Sequence, residues 1–411
     1  MPSASLLRTG DLGQPQVATP NQMARARSLL QRRQGATDAL VGGKRGLHIQ
    51  GKDDSLFLRS MQEAFAYHYL ASPVFQGLCA DSDFYPWSLR RLEQISSIPY
   101  FFVTALKYHS VCSVPEQQVA LTLRSSGTTG QTSAIVLDRT SLRRIRRIVH
   151  HIYGDLGMRD KRRTNYLCFT YDPEVAKDVG TAYSDKLLTS LTRVEKVFYA
   201  IEWDESRQDW HLDSRRVQQA MDAFEASRRP FRLLGFPAHT WEVLHEIVAR
   251  RGRPYQFGPL SYVITGGGWK GFDGQAIPKA DFREGVARAL GIPRANVRDL
   301  YGMVEHGVPY CECEKHRMHV PRYSRVYVRD PATLRLLGPG ETGLLHFVTS
   351  YHHSYPAISL LTTDYGHLLE RCPCGRKSPV LVLEGRAGLT KHKGCAINAL
   401  KVRADIPDQV P

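Results

Sequence analysis

The chain has 411 residues, of which 42% are hydrophobic, and carries a formal net charge of +15. That length suits one large domain or two to three smaller ones with a real core, and eight cysteines in such a chain exclude a disulfide scaffold. The excess of Lys+Arg (55) over Asp+Glu (40) favours an anionic partner such as ATP, an acidic carrier protein or nucleic acid.

Residues 1–50 are rich in Gln, Arg, Gly, Ala and Ser and read as a basic, solvated tail, with a short helix possible from Met23 to Arg32. The start, Met1 to Arg8, lacks the long apolar core of a secretory signal. No run of roughly eighteen apolar residues follows, so no membrane span is expected and the chain is read as cytoplasmic. From Leu56 to Leu70 the apolar spacing predicts an amphipathic helix. Val119 to Leu123 alternates like a strand, and a helix is expected from Ser141 to Tyr153. Leu142, Ile145, Ile148, Val149 and Ile152 would form its apolar face, with Arg143, Arg144, Arg146 and Arg147 as a solvated face.

Strand-like and helical runs then alternate. Tyr166–Phe169, Val197–Ile201, Phe231–Phe236 and Tyr262–Thr265 read as strands, and Val217–Ser227 and Ala238–Arg250 as helices. This alternation predicts an α/β fold with parallel strands. Short β runs at Arg325–Val328, Gly343–Val348 and Val380–Leu383 predict a smaller antiparallel sheet packed on that core.

The densest chemical signal is Arg124-Ser125-Ser126-Gly127-Thr128-Thr129-Gly130-Gln131. Glycines permit close backbone approach, and successive N–H groups in such a loop form an anion-binding nest. We read it as a phosphate cradle between a strand and a helix; no lysine follows Gly130, so it is not the nucleotide-binding P-loop. Three weaker pieces follow. Tyr301-Gly302-Met303-Val304-Glu305 combines an aromatic ring, a glycine and a carboxylate able to hold Mg²⁺. Asp364 closes an apolar run and can accept both hydroxyls of a ribose, and Arg386 stands between glycines at a prospective hinge.

Together and in this order, these pieces resemble the adenylate-forming superfamily, most closely the acyl-protein synthetases of bacterial bioluminescence and, more distantly, the phenylacetate–CoA ligases. The resemblance covers roughly residues 55–400 and includes Ser126-Gly127-Thr128-Thr129-Gly130, Gly266-Gly267-Gly268-Trp269-Lys270 and Tyr301-Gly302. It implies a large adenylation-type domain over 51–385 with parallel or mixed sheets, a smaller antiparallel β region, and a short tail from 386 to 411. It further implies ATP-dependent activation of a carboxylic acid, fatty by resemblance, with transfer of the acyl group to a thiol. Ser125 to Gly130 would hold phosphate, Glu305 Mg²⁺, Asp364 ribose, and Gly266-Gly267-Gly268 would line the adenine and acyl pockets. An acyl-CoA reductase, an acyl carrier protein or CoA is the implied partner.

Two departures stand out. Gln131-Thr132 replaces the family's usual Pro-Lys, and only 25 residues (411 − 386) follow Arg386, so the usual C-terminal lid and its catalytic lysine are not found. Lys391, Lys393 and Lys401 sit in no convincing motif. Bioluminescence synthetases carry the acyl group on a cysteine near the C-terminus. Cys395, flanked by Lys393 and His392, takes that place, and its basic neighbours favour the thiolate. An acyl- or aryl-CoA ligase in specialised metabolism and a catalytically degenerate scaffold are the competing readings. Nucleic acid is disfavoured, because the basic residues are spread along the chain with no aromatic-interleaved stripe.

Cys311-Glu312-Cys313 and Cys372-Pro373-Cys374 form two Cys-x-Cys pairs, with His316 and His319 close to the first. Four soft ligands from two turns suit tetrahedral Zn²⁺ in a structural role.

Overall fold

A computed structural model describes residues 18–49, 51–108, 111–124, 134–171, 180–204, 209–269 and 276–386. The chain opens with a helical layer: α1 (Pro20–Arg33), α2 (Ala36–Gly42), α3 (Gly51–Ala71) and α4 (Pro73–Asp81). Residues 20–42, expected as part of a solvated tail, are therefore helical and packed. Thr19 and Gln22 form a reciprocal capping box, Pro20 pre-sets the first turn, and Ala26 and Leu40 are buried in the main core. Composition alone missed this because the polar residues cover the outer face of two short helices.

Next come β1 (Phe101–Phe102) and the pair β2 (Val119–Arg124) and β3 (Ala134–Asp138). β2 and β3 are antiparallel, with Arg124 opposite Ala134. The serine/threonine/glycine stretch thus joins two strands, not a strand and a helix. Ala134-Ile135-Val136-Leu137 extends as a second strand before Asp138 accepts the N–H of Ser141 and starts α5 (Arg139–Asp155). α5 buries Ile145, Ile148, Val149 and Ile152 as the spacing predicts. Arg144 departs from the expected solvated face: it is buried and paired with Asp38 of α2.

The centre of the molecule is β4 (Arg163–Tyr171), α6 (Gly180–Thr189), β5 (Arg193–Asp204), β6 (Asp209–Leu212), α7 (Ser214–Ala226), β7 (Phe231–Gly235), α8 (Pro237–Arg251), β8 (Tyr262–Gly266), α9 (Lys279–Leu290), β9 (Val297–Tyr301) and β10 (Tyr310–Cys311). Among the described residues they form a seven-stranded sheet in the order β10-β9-β8-β7-β4-β5-β6. β9, β8, β7, β4 and β5 run parallel, and β10 and β6 are antiparallel edges. Strand alternation divides the core. Tyr166, Cys168, Leu234 and Ile264 face α5, whereas Leu167, Phe169, Leu233 and Val263 face the apolar sides of α7, α8 and α9. Burial on both faces explains why the central strands read as continuous apolar runs.

The remaining strands are β11 (Met318–His319), β12 (Ser324–Arg329), β13 (Gly343–Thr349), β14 (Ser359–Leu369) and β15 (Val380–Arg386). They form the expected antiparallel sheet, ordered β11-β15-β14-β13-β12, with β1 added parallel to β14. No helix among the described residues is long and apolar enough to cross a membrane.

Candidate active site

Chain direction in the parallel sheet diverges between β4 and β7. From β4 the chain moves outward to β5; from β7 it moves the other way, to β8 and β9. Open α/β sheets bind ligands at the carboxyl ends of strands beside such a switch point. A cleft lies there. Thr170 of β4, Gly235 and Phe236 at the end of β7, Gly266 and Gly267 at the end of β8, and Gly302 and Met303 after β9 all line it. Leu123 of β2 and Leu188 of α6 complete its wall.

Two glycines are required by this geometry. A Cβ on Gly235 would stand 2.6 Å from Cβ of Phe169, so strand β4 leaves no room for a side chain. Gly267 has φ +82°, in the left-handed region, and a Cβ there would crowd the ring of Phe236 at 3.0 Å. Gly268 also has positive φ, and its backbone continues the turn. The expected Gly266-Gly267-Gly268 loop therefore contributes its first two residues directly to the cleft wall.

Tyr301 ends β9, and its hydroxyl donates to Oδ2 of Asp364 at 2.8 Å. Its ring packs against Phe347 of β13 with centroids 6.0 Å apart. The two motifs, from different sheets, thus meet at one seam. Asp364 is buried in β14, directly opposite Arg386 of β15 in the ladder register. Glu305 lies in the turn after β9, buried beside cleft-lining Val304. It is close enough to Tyr355 to help burial push that phenol far above its ordinary pKa. The structure so brings Gly266, Gly267, Tyr301, Gly302, Glu305 and Asp364 to one end of the two sheets. Ser125, Ser126, Gly127, Thr128, Thr129, Gly130 and Cys395 lie outside the described residues, although the strands that flank the phosphate loop are described.

A second constellation lies apart from the cleft. Sγ of Cys313, Cys372 and Cys374 and a ring nitrogen of His319 all lie within 4.8 Å of one another. Cys313 and Cys372 sulfurs are 3.8 Å apart, and Nε2 of His319 is 3.3 Å from Sγ of Cys374. Tetrahedral Zn²⁺ with Zn–S of about 2.3 Å sets sulfurs ~3.8 Å apart, so the donor set fits zinc. Nδ1 of His319 is 3.1 Å from the Ser378 hydroxyl, an outer contact that orients the ring.

The expected Cys₄ set is corrected at one position. Cys311 stays in β10, paired with Leu300, and its thiol lies in the core beside Tyr153, pushed up to about 12 by burial. Cys313 instead begins the turn that His316 closes with its N–H on the Cys313 carbonyl. His319 takes the fourth place. Cys311 and His319 both lie near Cys313 in sequence, and the turn geometry separates them.

His239, in the first turn of α8, is buried and its pKa is lowered to about 4 by desolvation, so its ring is neutral. Sequence reasoning missed Asp185. This buried carboxyl lines the cleft from α6, in a run, Tyr183-Ser184-Asp185-Lys186, with no motif to mark it.

The fold and cleft define an adenylate-forming α/β ligase. A solved 2-hydroxyisobutyryl-CoA ligase, in complex with 2-HIB-AMP and CoA, superposes with a TM-score of 0.66 at 19% identity, over 84% of this chain and 70% of that one. The family model for the acyl-protein synthetase LuxE matches residues 36–402, and the chain belongs to that family. It is an acid–thiol ligase that works through an acyl-adenylate. Among relatives, a long-chain-fatty-acid–luciferin-component ligase of Aliivibrio fischeri is 25% identical over 344 residues, 83% of this chain and 87% of the relative. A phenylacetate-coenzyme A ligase of Thermus thermophilus is 25% identical over 331 residues, 78% of this chain and 68% of that protein.

Proposed function

We propose that this chain activates a fatty acid with Mg-ATP in the cytoplasm and passes the acyl group to Cys395 or to a partner's thiol. The meeting of Tyr301, which stands between cleft-lining Leu300 and Gly302, with Asp364 carries this reading, because it joins the aromatic and ribose-binding motifs of an adenylate site.

A free carboxylate is a poor acyl donor. In the first step its oxygen attacks the α-phosphorus of ATP, forming a P–O bond while the bond to the β-phosphate oxygen breaks and pyrophosphate leaves. Backbone N–H groups of Ser125 to Gly130 hold the phosphates, and Asp364 accepts the ribose hydroxyls with Tyr301 fixing its orientation. Glu305 would hold Mg²⁺, which would supply neutralisation of developing phosphate charge. In the second step a thiolate attacks the acyl carbon and AMP leaves with the electron pair. The cleft's apolar wall, with Leu234, Phe236, Ile264 and Met303, suits an acyl chain. Zn²⁺ on Cys313, His319, Cys372 and Cys374 would pin the β11–β15 edge to the core.

The test is pyrophosphate release from Mg-ATP with a panel of fatty and aryl acids, with hydroxylamine present to trap activated acyl groups. Acid-dependent release with hydroxamate formation supports the reading. Absence of both in folded, zinc-loaded protein would favour a scaffold. The relatives named for CoA ligation make free CoA the second acceptor. Cys395→Ala distinguishes them: a CoA ligase retains thioester formation, whereas a self-acylating synthetase loses its covalent acyl adduct.

A further inference from the structure

The described side chains lining the cleft are apolar apart from Asp185 and the hydroxyls of Thr170, Tyr183 and Ser184. Asp185 is its only carboxylate among the described lining residues, and no lysine, arginine or histidine lines the cleft beside it. The residue is 5% exposed. Thr170, near the end of β4, also lines the cleft and donates its hydroxyl to Oδ2 of Asp185. The same cleft is lined by Leu188 of α6, Leu234 of β7 and Phe236.

Among the described residues no cationic side chain pairs with Asp185, and a buried carboxyl so placed is costly to ionise. Burial pushes Asp185 up to about 7, against the opposing effect of the Thr170 bond. Near pH 7 a large share of it is therefore protonated, and in that form it can both donate and accept a hydrogen bond. An unsubstituted alkyl chain seated here would cover this group and give it nothing in return. A hydroxyl on the chain would satisfy it. An ammonium would require the ionised form, which burial disfavours.

Building on the acid-activation reading above, we propose that the Asp185–Thr170 pair makes this pocket selective for a carboxylic acid bearing a hydroxyl group on its acyl chain. Hydrogen-bonding sites reject analogues that lack the matching group far more strongly than apolar pockets reject an extra one. The preference expected here is at least about tenfold in kcat/KM.

The experiment compares acid-dependent pyrophosphate release by the full chain for matched pairs of acids: unsubstituted, hydroxylated at successive positions, and amino-substituted at the same positions. Wild type, Asp185→Asn, Asp185→Leu and Thr170→Val are compared, with melting temperatures recorded for each. The wild type should favour one hydroxylated isomer. Asp185→Leu should lower kcat/KM for that isomer about tenfold or more while raising it for the unsubstituted acid. Asp185→Asn, which keeps the polarity, should retain the hydroxyl preference and serves if the leucine variant does not fold. Equal use of plain and hydroxylated acids by the wild type would overturn the proposal. So would a preference for the amino analogues, or an equal loss on both acids in the variants. No pyrophosphate release by the wild type with any acid would overturn the adenylation reading itself, and this inference with it.

Discussion

The hydroxyl of Tyr301 donates to the Asp364 carboxylate at 2.8 Å, tying the end of the parallel sheet to the third strand of the antiparallel one. If this pair holds the ribose, Asp364→Ala should lower kcat/KM for ATP about 10- to 100-fold. That range corresponds to the loss of a charge-assisted bond worth roughly 1.5–3 kcal/mol. Tyr301→Phe should cost several-fold. The double variant should be no worse than Asp364→Ala alone, because the tyrosine acts through the carboxylate. Additive losses in a steady-state double-mutant cycle would contradict that dependence.

The Cys/His cluster separates two cysteines that look equivalent in sequence. Elemental analysis of the purified chain should find about one zinc per molecule. Cys374→Ser and His319→Ala should lose it and lower the melting temperature by roughly 5 °C or more. Cys311→Ser should retain it, since that thiol lies beside Tyr153 in the core. Zinc loss on Cys311→Ser with retention in His319→Ala would reverse the assignment.

Acid should destabilise the fold early. His68 and His306 are lowered to about 3 and His352 to about 4, each chiefly by burial. The unfolded rings titrate near 6.5. The stability they contribute is fully present above that value and is lost as pH falls from 6.5 toward 4 and then 3. Each ring accounts for up to ~1.4 kcal/mol per pH unit in that window. Urea melts across pH 4 to 7 should show this slope, and His306→Gln should flatten it. An unchanged slope would mean that His306 is not the buried neutral ring found here.

Asp185 works in the opposite sense. Its folded carboxyl titrates at about 7, above the unfolded value of 3.8, so the unfolded chain loses its proton first. Its effect is to reduce stability progressively as pH rises from about 4 to 7. Asp185→Asn should gain stability relative to wild type over that range, with no further gain above it. A difference independent of pH would contradict the raised carboxyl.

Much of this arrangement was legible because its signals are local. The apolar face of α5, the continuous runs of β4 and β7, and the Tyr301–Glu305 and Asp364 motifs depend on near neighbours in the chain. What escaped depends on contacts across the sequence. The helices over 20–42 gain their place by packing on α3, not from an apolar composition of their own. β3 hid between the glycine-rich stretch and the helix signal because a strand of five residues, four of them apolar in a row, is short evidence. His319 and Cys311 traded roles through a turn that spacing does not encode, and Asp185 acquired its character from burial beneath a neighbouring strand.

The most direct measurement is exchange of labelled pyrophosphate into ATP by the full chain, with and without acid. Exchange reports reversible adenylate formation and needs no acceptor thiol, so it isolates the first step from the choice between Cys395, CoA and a partner. Exchange that requires both Mg²⁺ and a carboxylic acid, and that falls in Asp364→Ala, is the expected result. No exchange with any acid from folded, zinc-loaded protein, or exchange indifferent to Asp364, would contradict adenylate formation at this cleft.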